Sequence, residues 1–209
     1  MIDAVLLIGP TGAGKSPLGE ALERTGWTGR RCLHFDFGAR LREAGPNTDI
    51  VPGLSVRERE DIRAVLTGGA LLEDGQFEIA LKILTDFLRR NNAKPGDLLI
   101  LNGLPRHAGQ ARDLEPTAAI RRVVVLEASP ETIRRRIRTN AAGDRAERGD
   151  DSPAEVERKL ALFKERTEPL IAFYAEKGVP VVCLDVGPET TAKELLGRLG
   201  QRFERETPK

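Results

Sequence analysis

The sequence predicts an α/β fold in which a parallel sheet of five strands carries helices on both faces. The first observation is a set of short apolar runs, at residues 4–8, 31–36, 97–102, 121–127 and 180–185. Several are apolar almost throughout, which is typical of strands that are covered on both faces. The second observation is that helical patterns separate the runs, as the crossover connections of a parallel sheet require.

The third observation is a glycine-rich segment between the first apolar run and a helical pattern. It reads Gly9, Pro10, Thr11, Gly12, Ala13, Gly14, Lys15, Ser16. This is the phosphate-binding loop pattern in its strand-to-helix setting. The glycines allow successive backbone N–H groups to face one phosphate, and the helix behind adds its positive dipole end. We predict that Lys15 reaches the terminal phosphates and that Ser16 ligates magnesium. A strand–helix turn without a ligand is the alternative interpretation.

Helical patterns occupy most of the stretches between the predicted strands. They lie at residues 15–24, 55–66, 75–91, 131–138, 153–177 and 190–203, with a shorter one after Asp36. Ser55 with Glu58 predicts a capping box, and Ser129 is placed to cap the next helix. Pro169 is expected to kink the longest helix. The segments 45–54 and 139–152 have the composition of loops.

Composition places the chain among ordinary single-core proteins. Its 209 residues carry a net charge of +1, so charge alone indicates neither a nucleic acid nor a membrane as partner. No apolar stretch approaches the roughly 20 residues that span a bilayer. The first strand leaves no room for a signal peptide, and neither Cys32 nor Cys183 belongs to a metal-type pair. We therefore expect a cytoplasmic protein with buried free thiols.

Four segments occur in the order and at about the spacing of a known family. They are residues 9–16; Gly38 with Leu41-Arg42; Gly103-Leu104-Pro105-Arg106 with Gln110; and Asp150-Asp151 leading to Thr167-Glu168-Pro169-Leu170-Ile171 and Tyr174. Through them the chain resembles the adenylate kinases, and more broadly the nucleoside monophosphate kinases, along nearly its full length. The first segment alone would indicate only a nucleotide-phosphate binder, whereas the four together are specific.

The resemblance implies a P-loop NTPase fold of three layers in one nucleoside monophosphate kinase domain. Its core would comprise residues 1–38, 71–138 and 153–209, with a helical monophosphate-binding arm at about 39–70 and a lid at about 139–152. The implied reaction is reversible transfer of the γ-phosphate of Mg-ATP to a monophosphate, AMP being the expected acceptor. Mg²⁺ is the implied cofactor. A short lid without cysteine implies no zinc, and family members are often monomers.

The resemblance also assigns roles to single residues. The implied catalytic residues are Lys15, Arg106, Arg136 and Arg148. The implied acceptor site comprises Phe37, Gly38, Arg42, Gly103, Arg106 and Gln110. Arg42 and Arg106 would clamp the acceptor phosphate, because planar guanidinium groups match phosphate oxygens. Gln110 would bond the acceptor base, Arg136 would face the phosphates, and Arg145, Arg148 and Lys159 would act at the lid.

One departure from the family concerns the metal site. Asn102 stands where the family carries an aspartate that holds magnesium through water. Asp36, at the end of the second strand, is the residue that could supply this charge instead. We therefore predict a metal site of Ser16, Asp36 and Asn102, the last two acting through water. The alternative for Asp36 is a capping residue of the following helix.

The other departures concern specificity and charge. Phe37 replaces a threonine that contacts adenine, so the pocket lacks one polar contact and is expected to discriminate less sharply. Lys159 replaces an arginine, and Asn140 replaces another basic residue. Two alternatives therefore stay open. The same fold would phosphorylate another monophosphate or a small hydroxylated metabolite, or the protein would be a nucleotide-binding regulatory protein with weak phosphate transfer.

Overall fold

The computed structural model describes residues 1–45, 51–68, 72, 74–143 and 152–206. Within them, five strands form one parallel sheet. The strands are β1 Ile2–Ile8, β2 Cys32–Asp36, β3 Leu98–Asn102, β4 Ala118–Glu127 and β5 Val181–Asp185. Their order across the sheet is β2-β3-β1-β4-β5, and every neighbouring pair is parallel. The predicted α/β architecture with a five-stranded parallel sheet is confirmed.

Nine α-helices lie in the described part of the chain. They are α1 Lys15–Thr25, α2 Phe37–Ala44, α3 Val56–Gly68, α4 Phe77–Arg90, α5 Ala108–Leu114, α6 Pro130–Thr139, α7 Pro153–Leu162, α8 Leu170–Glu176 and α9 Ala192–Glu206. A 3₁₀ turn, Asp74–Gln76, precedes α4, and a π-helical turn, Phe163–Thr167, joins α7 to α8. Within the described ranges, no helix combines the length and apolarity that crossing a bilayer would need.

Two predicted caps are confirmed by their hydrogen bonds. The Ser55 N–H donates to Glu58 Oε2 at 2.7 Å, and the Glu58 N–H donates to Ser55 Oγ at 3.2 Å. The Thr132 N–H donates to Ser129 Oγ at 3.1 Å at the start of α6. These local contacts fix helix starts that the sequence pattern alone reveals.

The longest predicted helix is wrong as a single kinked element. Residues 153–177 contain a break at Phe163–Thr167, where the Glu168 N–H donates to the Phe163 carbonyl at 2.8 Å. This five-residue spacing widens the helix immediately before Pro169. Because proline has no N–H to donate to the carbonyl four residues earlier, the regular ladder cannot continue through it. The result is two helices rather than one bend.

Two further boundaries differ from the sequence prediction. Strand β4 begins at Ala118 instead of residue 121, and its first residues pair with Ile2–Ala4 of β1 before a register shift. The charged pair Arg121-Arg122 interrupts the apolar pattern there and hides the early start. Helix α5 is absent from the sequence prediction, since two turns give too short a periodic pattern.

Both faces of the sheet are buried. On one face, Leu6, Phe35 and Leu101 pack with the α4 helix in one cluster of buried residues. On the other, Leu7 and Ile100 pack with residues of α1 and α9 in a second cluster. Alternate residues of a strand point to opposite faces. The continuous apolarity of the strands therefore reflects two cores rather than one.

The two cysteines are free. Cys32 is buried and Cys183 is half-buried, so the expectation of buried thiols holds fully only for Cys32. Burial raises the pKa of Cys32 to about 11. The thiolate is therefore scarce near neutral pH, and a structural role follows.

Burial of His34 leads to a testable pH dependence. This β2 side chain is 8% exposed, and its Nε2 has no hydrogen-bond partner among the described residues. Gly19 of α1 provides the space, because a Cβ there would lie 2.2 Å from Nε2. Loss of solvation lowers the pKa of His34, although Asp36 and Glu23 oppose this. The unfolded chain therefore binds a proton at a pH where the folded protein does not.

We expect His34 to cost stability as the solution is acidified. The free energy of unfolding carries no penalty from His34 above the unfolded pKa of about 6.5. It decreases as pH falls below that value, by at most about 1.4 kcal/mol at pH 5.5. Urea unfolding of the wild type and of His34→Gln at pH 7.5 and 5.5 measures this. The variant should lose less stability between the two pH values. Equal losses in both proteins would contradict the assignment to His34.

Candidate functional site

The glycine-rich segment forms a tight loop between β1 and α1. Gly12 has φ 78° and Gly14, the residue before α1, has φ 101°. Residues with a side chain rarely adopt these φ values, so both positions require glycine. Gly9 serves a different purpose, because a Cβ there would lie 2.8 Å from the Leu126 carbonyl of β4. Glycine at these positions therefore gives the loop both its backbone conformation and its close approach to the sheet.

Lys15 folds back over this loop. Its Nζ donates to the carbonyl oxygens of Gly9 at 2.6 Å and Pro10 at 2.8 Å. The ammonium group thus lies above the loop rather than in open solvent. Backbone carbonyls are weaker partners for a cation than phosphate oxygens are. This geometry permits Lys15 to exchange them for a phosphate.

Arg136 is buried behind the loop, with 2% of its surface exposed. Its Nε donates to the Gly12 carbonyl at 3.0 Å, and its Nη1 donates to the carbonyls of Gly187 at 2.8 Å and Thr190 at 2.9 Å. The guanidinium group therefore joins the phosphate loop to the segment that follows β5. The resemblance has Arg136 facing the phosphates, whereas the contacts observed here hold the loop in shape. Its contact with phosphate stays a prediction.

Ser16, Asp36 and Asn102 converge at the carboxyl ends of β1, β2 and β3. Ser16 Oγ donates to Asp36 Oδ2 at 2.5 Å, and Asn102 Nδ2 donates to the same oxygen at 2.7 Å. Asn102 Nδ2 also donates to Ser16 Oγ at 3.0 Å. The other carboxylate oxygen, Asp36 Oδ1, accepts the Ala39 N–H at 3.0 Å and caps α2. Asp36 therefore caps α2 with Oδ1 and accepts the Ser16 hydroxyl with Oδ2.

This cluster fits a magnesium ion that is held mainly by nucleotide phosphates. Mg²⁺ prefers oxygen ligands, keeps several waters and uses one or two protein carboxylates. Ser16 offers a hydroxyl oxygen and Asp36 offers the carboxylate. No group of three or more His, Cys, Asp or Glu side chains suited to a metal occurs in the ranges described above. Phosphate oxygens and water would therefore supply most of the ligands.

Two arginines form a second cationic region beside this cluster. Arg106 Nε donates to the Gly103 carbonyl at 2.9 Å. A Cβ on Gly38 would lie 3.5 Å from Arg42 Nη1, and one on Gly103 would lie 3.5 Å from Arg106 Nη2. Burial lowers the pKa of Arg106, Asp36 opposes this shift, and Arg42 adds to it. With the residues that the structure describes, Arg42 and Arg106 form no salt bridge. Such a pair is suited to bind an anion.

Gln110 is almost fully buried and uses both ends of its amide. Its Oε1 accepts the Arg106 N–H at 2.9 Å, and its Nε2 donates to the Leu72 carbonyl at 2.9 Å. The Arg106 N–H requires an acceptor, which fixes the orientation of the amide. Gln110 therefore directs a donor toward Leu72, which precedes the start of α4 by five residues.

One cleft connects these parts. Its lining includes many of the predicted site residues, namely Gly9, Thr11, Gly12, Gly14, Lys15, Ser16, Asp36, Phe37, Gly38, Arg42, Asn102, Gly103, Arg106, Gln110 and Lys159. Pro10 and Ala13 belong to the same loop. Arg136 lies behind the loop and outside that lining. Arg145 and Arg148, with Asp150 and Asp151, lie outside the described residues.

Two groups of cleft residues were missed by sequence reasoning. Phe163 and Thr167 of the π-helical turn line the cleft beside Lys159. Val65, Leu66 and Leu72 line it from the acceptor side. The segment Thr167-Glu168-Pro169 carries part of the family resemblance and could have indicated the first group. The second group has ordinary core composition and gives no such signal.

Comparison with known families agrees with this geometry. A family model described as "AAA domain" matches residues 5–159, which include the phosphate loop, the cluster of Ser16, Asp36 and Asn102, and both arginines of the second region. The chain belongs to the AAA domain family. The match covers the phosphate loop and the strands around it, and the predicted nucleotide-binding fold is confirmed.

Three curated relatives of this AAA domain protein are named adenylate kinase. The present chain is 29% identical to an adenylate kinase of Bartonella tribocorum over 84% of this chain and 88% of the relative. It is equally identical to one from Prochlorococcus marinus, over 86% and 88%. With the adenylate kinase of Xanthomonas campestris pv. campestris, 29% identity extends over 96% of this chain and 99% of the relative. The predicted resemblance and the phosphotransferase class are confirmed.

Proposed function

We propose that this protein is a nucleoside monophosphate kinase that transfers the γ-phosphate of ATP reversibly to AMP. The observation that carries the proposal is the single cleft in which the phosphate loop and the Arg42–Arg106 pair face the same space. A phosphate loop alone would suit any nucleotide binder. A second anion site beside it supplies a place for an acceptor phosphate, which is what a kinase of this class requires.

The donor half positions ATP without forming bonds to phosphorus. Backbone N–H groups of the loop and the start of α1 face the phosphates, and Lys15 exchanges its carbonyl partners for phosphate oxygens. Arg136 keeps the Gly12 carbonyl in place, so the loop needs little rearrangement when ATP binds. Magnesium, held by Ser16 with Asp36 and Asn102 nearby, would offset charge on the phosphate oxygens.

The acceptor half binds the phosphate through Arg42 and Arg106. Arg106 is half-buried and already oriented by its bond to the Gly103 carbonyl, so little side-chain entropy is lost on binding. The two guanidinium groups lie beside the backbone at Gly38 and Gly103. The acceptor oxygen is already anionic and needs no general base. Alignment with the γ-phosphate and neutralisation of charge then account for the chemistry.

Recognition of the base by Gln110 favours adenine. The Gln110 Nε2 donor and the Leu72 carbonyl acceptor lie together at the pocket. The edge of adenine offers the complementary pair, an N1 acceptor and an N6 donor, whereas guanine and uracil offer the opposite polarity. Cytosine has the adenine polarity in a smaller ring. Phe37 provides an apolar wall in place of a hydroxyl contact.

The remaining assignments of the resemblance belong to this proposal. The arm at about 39–70 and the lid at about 139–152 would close over the core formed by 1–38, 71–138 and 153–209. Closure would bring Arg145 and Arg148 to the phosphates beside Lys159, exclude water and prevent hydrolysis of ATP. We further propose a monomer that acts in the cytoplasm, with Mg²⁺ as cofactor and without zinc, nucleic acid or membrane as partners.

An acceptor panel tests the proposal. Purified protein with Mg-ATP and AMP, CMP, GMP or UMP is assayed for ADP formation, and we expect kcat/KM to fall from AMP to CMP and then sharply to GMP and UMP. Turnover with GMP or UMP alone would overturn the assignment of AMP. Tight ATP binding without turnover on any monophosphate would favour the nucleotide-binding regulatory alternative.

The base contact can be tested separately with Gln110→Glu. Loss of the Nε2 donor should lower kcat/KM for AMP about a hundredfold, because a buried polar edge is left unmatched. Gln201→Glu, an exposed change of the same kind on α9, is the matched control and should leave the rate unchanged. An unchanged preference among the four monophosphates in Gln110→Glu would contradict this role.

A further inference from the structure

Asp36 lies between Ser16 on one side and the two arginines of the second cationic region, Arg42 and Arg106, on the other. Its Oδ2 is 2.5 Å from Ser16 Oγ, on the donor side. Its Oδ1 lies 3.4 Å from the position of a Cβ on Gly38, and Arg42 Nη1 lies 3.5 Å from the same position. The charge of Asp36 also acts on the half-buried Arg106. One carboxylate therefore borders both substrate positions.

This placement follows from which strand carries the charge. The strands β1, β2 and β3 end at Ile8, Asp36 and Asn102. Of these three ends only β2 carries a carboxylate, and β2 is the strand that continues directly into α2, the helix of Arg42. The amide of Asn102 is neutral and donates to Asp36. The negative charge beside Ser16 is thus carried by Asp36, the residue that leads directly into the helix of Arg42.

We propose that Asp36 makes acceptor binding depend on the metal of the bound donor. The inference rests on the proposed function and adds to it an order of binding. With no cation beside it, the carboxylate repels an acceptor phosphate at Arg42 and Arg106 and offsets part of their positive charge. When Mg-ATP is bound, the cation faces Asp36 Oδ2 and cancels this repulsion. Acceptor affinity then rises.

The size of the effect follows from Coulomb's law. Unit charges separated by roughly 7 Å at an effective dielectric constant of about 20 change a binding constant by tenfold or more. Magnesium also reduces the charge of ATP itself, which helps any acceptor phosphate regardless of Asp36. The diagnostic quantity is therefore the difference in the magnesium effect between the wild type and a variant that lacks the Asp36 charge.

Asp36→Asn removes this charge and keeps the cap. Asparagine retains the oxygen that accepts the Ala39 N–H, so α2 should begin as before. AMP binding is measured by calorimetry in the presence of saturating non-hydrolysable ATP analogue, with Mg²⁺ or with EDTA. In the wild type Mg²⁺ should raise AMP affinity at least about tenfold more than in Asp36→Asn. With EDTA, AMP should bind more tightly to the variant than to the wild type.

The controls separate this coupling from other causes. Asp113→Asn removes an exposed carboxylate of α5 and should retain the wild-type magnesium effect. Asp36→Ser, which also preserves a capping oxygen, replaces Asp36→Asn if that variant unfolds. An equal magnesium effect in the wild type and the Asp36 variant would overturn the proposal.

The outcome also stays distinct from that of the proposed function. If AMP binds to neither protein, the acceptor assigned above is wrong. Titration with inorganic phosphate then still measures the Arg42–Arg106 site, and its magnesium dependence decides the coupling by the same comparison. A magnesium effect on phosphate binding that persists unchanged without the Asp36 charge would overturn the coupling whatever the true acceptor is.

Discussion

Replacing Lys15 by methionine lowers kcat with ATP and AMP by about a thousandfold and leaves the fold intact. Removal of a single charge-stabilising group from a phosphoryl- or acyl-transfer site costs about this much. Methionine retains most of the aliphatic length of lysine, so packing over the loop changes little. In the nucleotide-free protein the bonds to the Gly9 and Pro10 carbonyls are lost, and the melting temperature should shift little.

Steady-state kinetics and nucleotide titration together measure this effect. ATP affinity should fall less than kcat, because Lys15 contributes more as charge moves onto the transferring group. Lys94→Met is the matched control, since Lys94 is exposed in the turn that leads into β3, at the opposite end of the sheet. Retention of full turnover by Lys15→Met would contradict the proposed mechanism rather than only its acceptor.

Replacing Arg106 by methionine should abolish acceptor use without unfolding the protein. We expect kcat/KM for AMP to fall by about a thousandfold, as the loss of a desolvated, charge-assisted contact to phosphate implies. Burial disfavours the charged form of Arg106, as its lowered pKa indicates. The free energy of unfolding should therefore stay within about 1 kcal/mol of the wild type, or rise.

Two variants sharpen the interpretation of Arg106. Arg106→Lys keeps the charge and loses the planar fork, so it should recover only part of the activity. Arg112→Met removes an exposed arginine from α5, next along the chain, and should behave as the wild type in turnover. A large loss of stability in Arg106→Met would instead assign the side chain to the architecture of the protein.

The sequence was most informative where the chemistry is local. The phosphate loop, the capping box at Ser55 and the cap at Ser129 each depend on residues within a few positions, so pattern and structure agree. The position of Asp36 beside Ser16 was predicted as well. In a parallel sheet the carboxyl ends of neighbouring strands meet at one edge, which brings these residues together despite their separation in sequence.

The remainder depends on contacts that no short pattern encodes. Arg136 was expected to face phosphate, yet its guanidinium lies on carbonyls more than fifty residues away on both sides. Gln110 was expected to meet a base, and in this state it contacts Leu72. The break before Pro169 contains a wider helical turn, and only tertiary packing places residues of that turn in the lining of the cleft. Such partners are set by tertiary structure rather than by local preference.

The bonds of Arg136 have a consequence for the growing polypeptide. The phosphate loop is encoded near the amino terminus, but one of the groups that fixes it is anchored at Gly187 and Thr190. These anchors lie beyond residue 159, where the match to the family model stops. A chain that stops before Gly187 has the complete phosphate-loop motif and lacks these bonds. The loop therefore gains its full set of supporting contacts only after the segment that follows β5 has been synthesised.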